Sequence, residues 1–252
     1  MKRIIISLLS ALFAVFFLTA CGSTKSGRKY VIATDTVFKP FEYTDKNGDF
    51  IGIDVDILDA VANDQGFQYE LKSLGWDASI AACKSGQADG MIAGASITDE
   101  RKKNGWIFSD GYYTATQSMA VSDQSDINGF EDLGGRTVAV KNGTQGQNYA
   151  ESLKDQYGFK ITVFEDSPTM YQAVTGGQAD ACFEDTPIMA ASIKDEGYAL
   201  RILDKTANDG ADYGFVVFNE DNMELLESFN AGLKNIKNNG KYDEILNKYL
   251  GE

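Results

Sequence analysis

The chain contains no histidine, only three prolines and only three cysteines among its 252 residues. Without histidine there is no Ser-His-Asp or Cys-His relay and no imidazole metal ligand. The side chain that ordinarily moves protons near neutral pH is also missing. Three cysteines are too few for a disulfide framework. Basic residues are scarce as well: 23 Lys and Arg against 37 Asp and Glu leave a formal net charge of −14. Such a chain repels phosphate backbones and anionic bilayers, so nucleic acid and charged membrane surfaces are not expected partners. No long uncharged apolar run follows residue 20, and no spanning segment is expected there. What is present is an ordinary globular composition, 43% hydrophobic with 25 glycines. The length suits one large domain or two of about 100 residues each. Neither a metal nor a cofactor is expected.

The first 20 residues read as an address. Met1-Lys2-Arg3 is a short cationic start, and Ile4 to Ala20 is an uncharged apolar run of 17 residues. That length is short for a bilayer span and suits the core of a signal peptide. The run ends Leu18-Thr19-Ala20-Cys21-Gly22, which resembles the lipobox of bacterial lipoprotein precursors, with Cys21 as the lipid attachment site. Residues 21–29 are polar and small and read as a tether. Removing residues 1–20 takes away two basic residues and no acid, so the exported remainder carries −16. The other thiols, Cys83 and Cys182, lie in apolar stretches and read as small core residues.

Strands and helices alternate through the rest. Tyr30 to Ala33 is an apolar strand, and residues 42–44 and 50–52 flank an Asn47-Gly48 turn as a hairpin. Asp54 to Gln65 carries Val55, Leu58 and Val61 at helical spacing, with Gly66 as its stop. Strands follow at 68–72 and 91–93, separated by a helix over 78–85. The second half repeats this rhythm: strand 137–140, helix 147–156 ended by Gly158, strand 161–164. Ser167-Pro168 and Thr186-Pro187 read as N-caps followed by a first-turn proline. Met223, Leu226, Phe229, Leu233 and Ile236 form one face of a last helix stopped by Gly240. The pattern predicts an α/β fold with mainly parallel sheets.

One internal echo points to two lobes. Ser85-Gly86-Gln87-Ala88-Asp89 is matched 91 residues later by Gly176-Gly177-Gln178-Ala179-Asp180, each leading into an apolar strand. The first strand delivers Ser96, Thr98 and Arg101, and the second delivers Glu184 and Asp185. Ligands of open α/β sheets bind beyond the carboxyl ends of strands. A cation from one half facing an anion from the other suits a zwitterion.

Several stretches together resemble the polar amino-acid-binding proteins of ABC importers, the family 3 extracellular solute-binding proteins. They are residues 33–42, Gly52-Ile53-Asp54-Val55-Asp56, Ile97-Thr98-Asp99-Glu100-Arg101, Phe108 to Tyr113, Val140 to Thr144 and Gly240-Lys241-Tyr242-Asp243. The likeness runs in order over roughly residues 30–250. It implies a two-lobed periplasmic-binding-protein-like fold whose lobes are joined by two hinge strands. Lobe one would be residues 30–112 plus 214–252 and lobe two residues 113–213, with crossings near Tyr112-Tyr113 and Tyr213-Gly214.

The resemblance also assigns roles. Arg101 matches the guanidinium that grips the ligand α-carboxylate through two parallel bonds, a geometry lysine cannot copy. The bland alternative is a surface arginine in a charged turn. Gly94 and Ser96 match positions that add backbone and hydroxyl contacts. Asp185 matches the carboxylate that receives the α-ammonium; it also reads as an acid at a helix start. Phe38 and Trp76 match aromatic walls around the ligand side chain, with polar neighbours that suggest exposure, and Tyr43 is a lesser candidate. Asp35 and Lys141 resemble the pair that reads a side-chain amide in glutamine-type members, acceptor for its N–H and donor to its C=O. A direct salt bridge between them is the alternative. Thr144 and Gln145 open a helix whose free backbone N–H groups suit a carboxylate. Glu184, beside Asp185, is a further candidate that favours a cationic ligand such as arginine or lysine, whereas Lys141 repels one.

The expected function is a monomeric, lipid-anchored receptor at the outer face of the cell membrane or in the periplasm. It would hand a polar amino acid, glutamine favoured, to an ABC permease without chemistry. The alternatives are an arginine, lysine or other polar amino-acid receptor, and a lyase or dehydratase on the same fold.

Overall fold

The computed structural model describes residues 28–251. The expected signal peptide, Cys21 and most of the tether lie outside the described residues. In chain order the elements begin with β1 (Lys29–Thr34), the hairpin β2 (Tyr43–Thr44) and β3 (Phe50–Ile51), and α1 (Ile53–Gln65). β4 (Gln68–Ser73), α2 (Trp76–Lys84), β5 (Gly90–Met91), α3 (Asp99–Lys103) and β6 (Ile107–Phe108) follow. Next come β7 (Tyr113–Ala115), β8 (Gln117–Ser122), β9 (Thr137–Lys141), α4 (Gln145–Tyr157), β10 (Lys160–Phe164) and α5 (Ser167–Thr175). β11 (Ala181–Asp185), α6 (Thr186–Ala191), β12 (Leu200–Leu203), β13 (Ala211–Tyr213) and β14 (Val216–Val217) lead to α7 (Met223–Asn238) and α8 (Lys241–Leu250).

These elements form two five-stranded sheets, ordered β4-β1-β5-β14-β6 and β10-β9-β11-β8-β12. In each, four strands run one way. The reversed strand is the fourth in each order: β14, antiparallel to β5 and β6, and β8, antiparallel to β11 and β12. The fold is therefore α/β and two-lobed, and β7 and β13 pair as an antiparallel ribbon between the sheets.

The inner strands of each sheet are covered on both faces, which is why β1, β9 and β11 carry apolar runs, while the edge strands β4 and β10 keep exposed positions. In β1, Ile32 joins the core under α1 and α7, while Ala33 joins the core under α2. In β9, Val138 and Val140 face one core and Ala139 the other. The side-chain alternation of a strand makes this division automatic. Cys83 and Cys182 are buried free thiols, one in α2 and one in β11.

Most boundaries shift by one or two residues, and three helix ends are capped differently from the sequence expectation. Helix α5 is capped by Asp166, whose carboxylate accepts from Thr169 N–H at 2.8 Å, so Ser167 and Pro168 are already helical. At α6 the cap position is likewise one residue earlier, at Asp185. Gly240 does not stop α7, which ends at Asn238; it starts α8, whose buried Ile245 packs into the first core.

Candidate functional site

The carboxyl ends of β1 and β5 in one sheet face those of β9 and β11 in the other. Asp35 and Phe38 follow β1, Trp76 opens α2, Gly94 and Ser96 follow β5, and Arg101 lies in α3. From the second sheet, Lys141 ends β9, Thr144 and Gln145 open α4, and Glu184 and Asp185 end β11. All eleven border one cavity, and Ala93 is the one lining residue the sequence did not suggest. The space inside is ≈ 10 Å³, room for about one water, so the walls from the two sheets nearly meet there.

Arg101 is not the surface residue its charged neighbours suggested. It is 7% exposed, and Thr98 caps its short helix by accepting from Arg101 N–H at 3.2 Å. Its guanidinium lies against two adjacent indoles, 5.1 Å from the Trp76 ring and 4.8 Å from Trp106, whose centroids are 6.1 Å apart. Nη1 donates to Ser96 O at 3.0 Å and Nη2 to Gly143 O at 3.2 Å. Burial lowers its pKa to about 10, against the pull of Asp185, so the group is still a cation at neutral pH. Among the described residues no carboxylate oxygen comes within ion-pair distance of it.

Asp185 mirrors this arrangement from the second sheet. It is 5% exposed, accepts from Gln117 Nε2 at 2.5 Å and from the Tyr213 hydroxyl, and among the described residues forms no ion pair. Burial raises its pKa, opposed by Tyr213, Gln117 and Arg101. Although Asp185 occupies the cap position of α6, its side chain makes no capping bond, so its carboxylate is left to the cavity. Glu184 is fully buried, accepts from the Ser167 hydroxyl at 2.6 Å, and is pushed up to about 7 by burial and by Asp185.

Lys141 and Asp35 form a direct ion pair across the cavity, Nζ to Oδ2 at 2.5 Å, with side chains 2% and 5% exposed. Of the two roles open to this pair in the sequence, the direct contact is the one present. Burial works against the Lys141 ammonium, but Asp35 and Glu184 outweigh it and raise its pKa. Nζ also sits 5.0 Å from the Phe38 ring.

The aromatic walls are buried rather than exposed, Phe38 beneath Lys141 and Trp76 through its indole N–H to Gly143 O at 3.3 Å. Gly94 adopts φ +55°, and a Cβ there would lie 2.4 Å from the Phe38 ring. Thr144 caps α4, accepting from Gln147 N–H and donating to Lys141 O at 2.8 Å. Tyr43 does not reach the cavity; it stays in the hairpin with the Lys39 ammonium 5.0 Å from its ring. Farther out, Lys39 pairs with Asp195 at 3.1 Å, and Asn142 donates to Asp77 at 2.6 Å, so the rims also touch.

Sequence reasoning missed the residues that hold these groups. Gln117 and Tyr213 anchor Asp185, and Trp106 is the second ring against Arg101. Tyr213 drew attention only as a chain crossing, and nothing near Gln117 or Trp106 marked them. Among the described residues no group of His, Cys, Asp and Glu is placed to hold a metal ion. No described helix is long and apolar enough to cross a membrane.

Residues 30–252 match the bacterial extracellular solute-binding proteins, family 3. The arginine-binding extracellular protein ArtP of Bacillus subtilis (strain 168) is 32% identical over 99% of this chain and 98% of its own. The ABC transporter glutamine-binding protein GlnH of the same organism is 31% identical over 100% of this chain and 98% of its own. Among solved structures, the arginine-, lysine-, histidine-binding protein ArtJ from Geobacillus stearothermophilus has a TM-score of 0.81 at 36% identity. That match covers 89% of this chain and 96% of the other.

Proposed function

This chain belongs to the family 3 bacterial extracellular solute-binding proteins, and from that premise we propose that it is a receptor for a polar L-amino acid, glutamine favoured. The observation that carries the reading is a cation and an anion, Arg101 and Asp185, both buried and both without an ion-pair partner, on one cavity. A buried charge is costly unless it is paired. An α-amino acid supplies the two missing partners in one molecule, carboxylate to Arg101 and ammonium to Asp185. Ser96, Gly94 and the first turn of α4 at Thr144 and Gln145 complete the backbone end. Phe38 and Trp76 flank the side chain.

At the far end, the Lys141 and Asp35 pair suits a neutral amide, which accepts from one and donates to the other. A cationic side chain would have to displace Lys141 from Asp35. Arginine is the second reading, supported by the additional buried carboxylate of Glu184 and by the names of the relatives.

Binding involves no chemistry in this account. We assign residues 30–112 with 214–252 to lobe one and 113–213 to lobe two, with the crossings as hinges. Ligand contacts from both lobes favour the closed form, because only differential contact can shift such an equilibrium. The closed receptor delivers its amino acid to an ABC permease. Cys21 anchors the monomer by lipid at the outer face of the membrane. A thermal-shift screen of the twenty amino acids tests the reading. At a hundred dissociation constants a ligand adds about 2.7 kcal/mol of stability. Glutamine is expected to give the largest rise. A larger rise with arginine moves the assignment to the second reading, and no rise with any amino acid refutes the receptor.

A further inference from the structure

A pair of carboxyl groups lies behind the cavity wall and makes no part of the ligand contacts assigned above. Glu42 precedes β2, Asp54 is in the first turn of α1, and both are 0% exposed. The backbone brings them together: Ile53 N–H donates to Pro40 O at 3.0 Å and Asp54 N–H to Phe41 O at 2.9 Å. The two carboxyl groups face each other: after burial itself, Asp54 does most to raise Glu42. Asp54 Oδ2 accepts from Gly94 N–H and from the Tyr112 hydroxyl, each at 2.8 Å. Asp54 Oδ1 and both oxygens of Glu42 are buried with no hydrogen-bond partner among the described residues.

Two ionised carboxylates cannot meet in a dry site, since each lacks water and each repels the other. One proton between them turns two acceptors into a donor and an acceptor. Its place follows from the surroundings. Asp54 has two donors that favour its ionised form, while Glu42 has none. The other charged groups facing Glu42 are Asp35 and Lys141, and the Lys141 ammonium already pairs with Asp35. Tyr112 is the other titratable group on Asp54. Burial accordingly raises Glu42 well above the usual carboxylate range and Asp54 only to about 6.

We propose that Glu42 carries a proton at neutral pH and donates it to Asp54 Oδ1, and that this shared proton is the positioning device for the apolar wall of the amino-acid site. Glu42 holds Phe38 through its backbone, exchanging hydrogen bonds at 2.7 and 3.2 Å. Asp54 holds Gly94, on which the Phe38 ring rests. Asp54 also holds Tyr112, whose N–H donates to Tyr213 O at the chain crossing. Closing the carboxyl pair therefore fixes both sides of the wall to each other and to the hinge. Opening it with a second negative charge would drive Phe38 and Gly94 apart.

The positioning role rests on the amino-acid reading of the cavity, whereas the proton does not, so the test has two arms. In the first, carbon-13 NMR follows glutamate side-chain carboxyls in the ligand-free protein, with Glu42→Gln identifying the signal. The Glu42 carboxyl should have the shift of a protonated acid at neutral pH. Titration alongside exposed glutamates, near the ordinary value of about 4.3, overturns the proposal. In the second, glutamine and arginine are titrated into wild type, Glu42→Gln and Glu42→Ala. Glu42→Ala should weaken binding about tenfold or more, as a site loosens when its supporting contacts go. Glu42→Gln, which keeps a neutral donor to Asp54, should restore wild-type affinity. A Gln variant as weak as Ala, or an Ala variant equal to wild type, refutes the positioning role. If Glu42→Ala does not fold, the resonance and the Gln variant still decide. If neither amino acid binds wild type, the glutamine and arginine readings both fail while the resonance still decides the proton.

Discussion

The Lys141 and Asp35 pair offers a sharp quantitative test. Replacing Lys141 by Met keeps most of the stem volume but leaves the Asp35 carboxylate buried with its cation gone. Breaking a buried pair from one side costs about 3–5 kcal/mol, because the remaining charge is uncompensated. At about 2–4 °C per kcal/mol for a domain of this size, the melting temperature should fall by roughly 6–20 °C. Adding Asp35→Asn removes the stranded charge and should recover most of that loss, leaving a coupling energy of about 0.5–3 kcal/mol in the double-mutant cycle. The exposed pair Lys241 and Glu244, with side chains 52% and 70% accessible, is the internal control. Its removal should cost about 0–1 kcal/mol. Thermal unfolding of the four proteins in the cycle and of the control measures all of this. If Lys141→Met costs no more than the surface control, the pair is not the buried, mutually dependent contact described above. The same variant should selectively lose glutamine, since the donor to the amide oxygen is gone while Arg101 and Asp185 remain.

Gly94→Ala should abolish ligand-induced stabilisation, because the new Cβ would meet the Phe38 ring at 2.4 Å and φ +55° strains any other residue; an unchanged thermal shift contradicts it. Glu184→Gln reports on pH. An acid raised from 4.5 to about 7 in the folded state costs wild-type stability progressively as pH rises through that window. The variant should therefore gain on wild type between those values and level off above, and parallel stability curves would argue against it. Cys21→Ser should shift the protein from the membrane fraction to the medium or leave an unprocessed precursor, since a lipid chain contributes about 0.8 kcal/mol per buried CH₂. A processed protein that still fractionates with membranes rules out lipid attachment at Cys21.

Much of the fold was legible because the long elements carry strong periods. β1 and β9 carry the apolar runs Val31-Ile32-Ala33 and Val138-Ala139-Val140 where both sheet faces are covered, and α1 and α4 end at glycines that adopt the left-handed conformation. The two-residue strands β6 and β14 are too short to show any period, whereas β5 falls within reach of the strand expected at 91–93. At α5, Asp166, Ser167 and Thr169 are all able to cap, and only the carboxylate's reach to Thr169 N–H decides between them. Helix α8 is hidden because Gly240 reads as a helix stop, whereas its left-handed backbone sits at the start of α8. The charged candidates could be read from their places after strands. Their supports could not: Gln117 lies 68 residues from Asp185, and Tyr112 lies 58 residues from Asp54. No local pattern records such pairings, and a proton shared by two acids leaves no trace in composition.

The claim that two unpaired buried charges await one zwitterion is tested most directly by changing the ligand rather than the protein. Titration calorimetry would compare the preferred amino acid with its α-carboxamide, which lacks the anion, and with its des-amino acid, which lacks the cation. Each analogue leaves either Arg101 or Asp185 buried and unpaired, and should lose about 2–5 kcal/mol, roughly 30-fold to several thousand-fold in affinity. An analogue that binds as tightly as the parent amino acid would contradict the account.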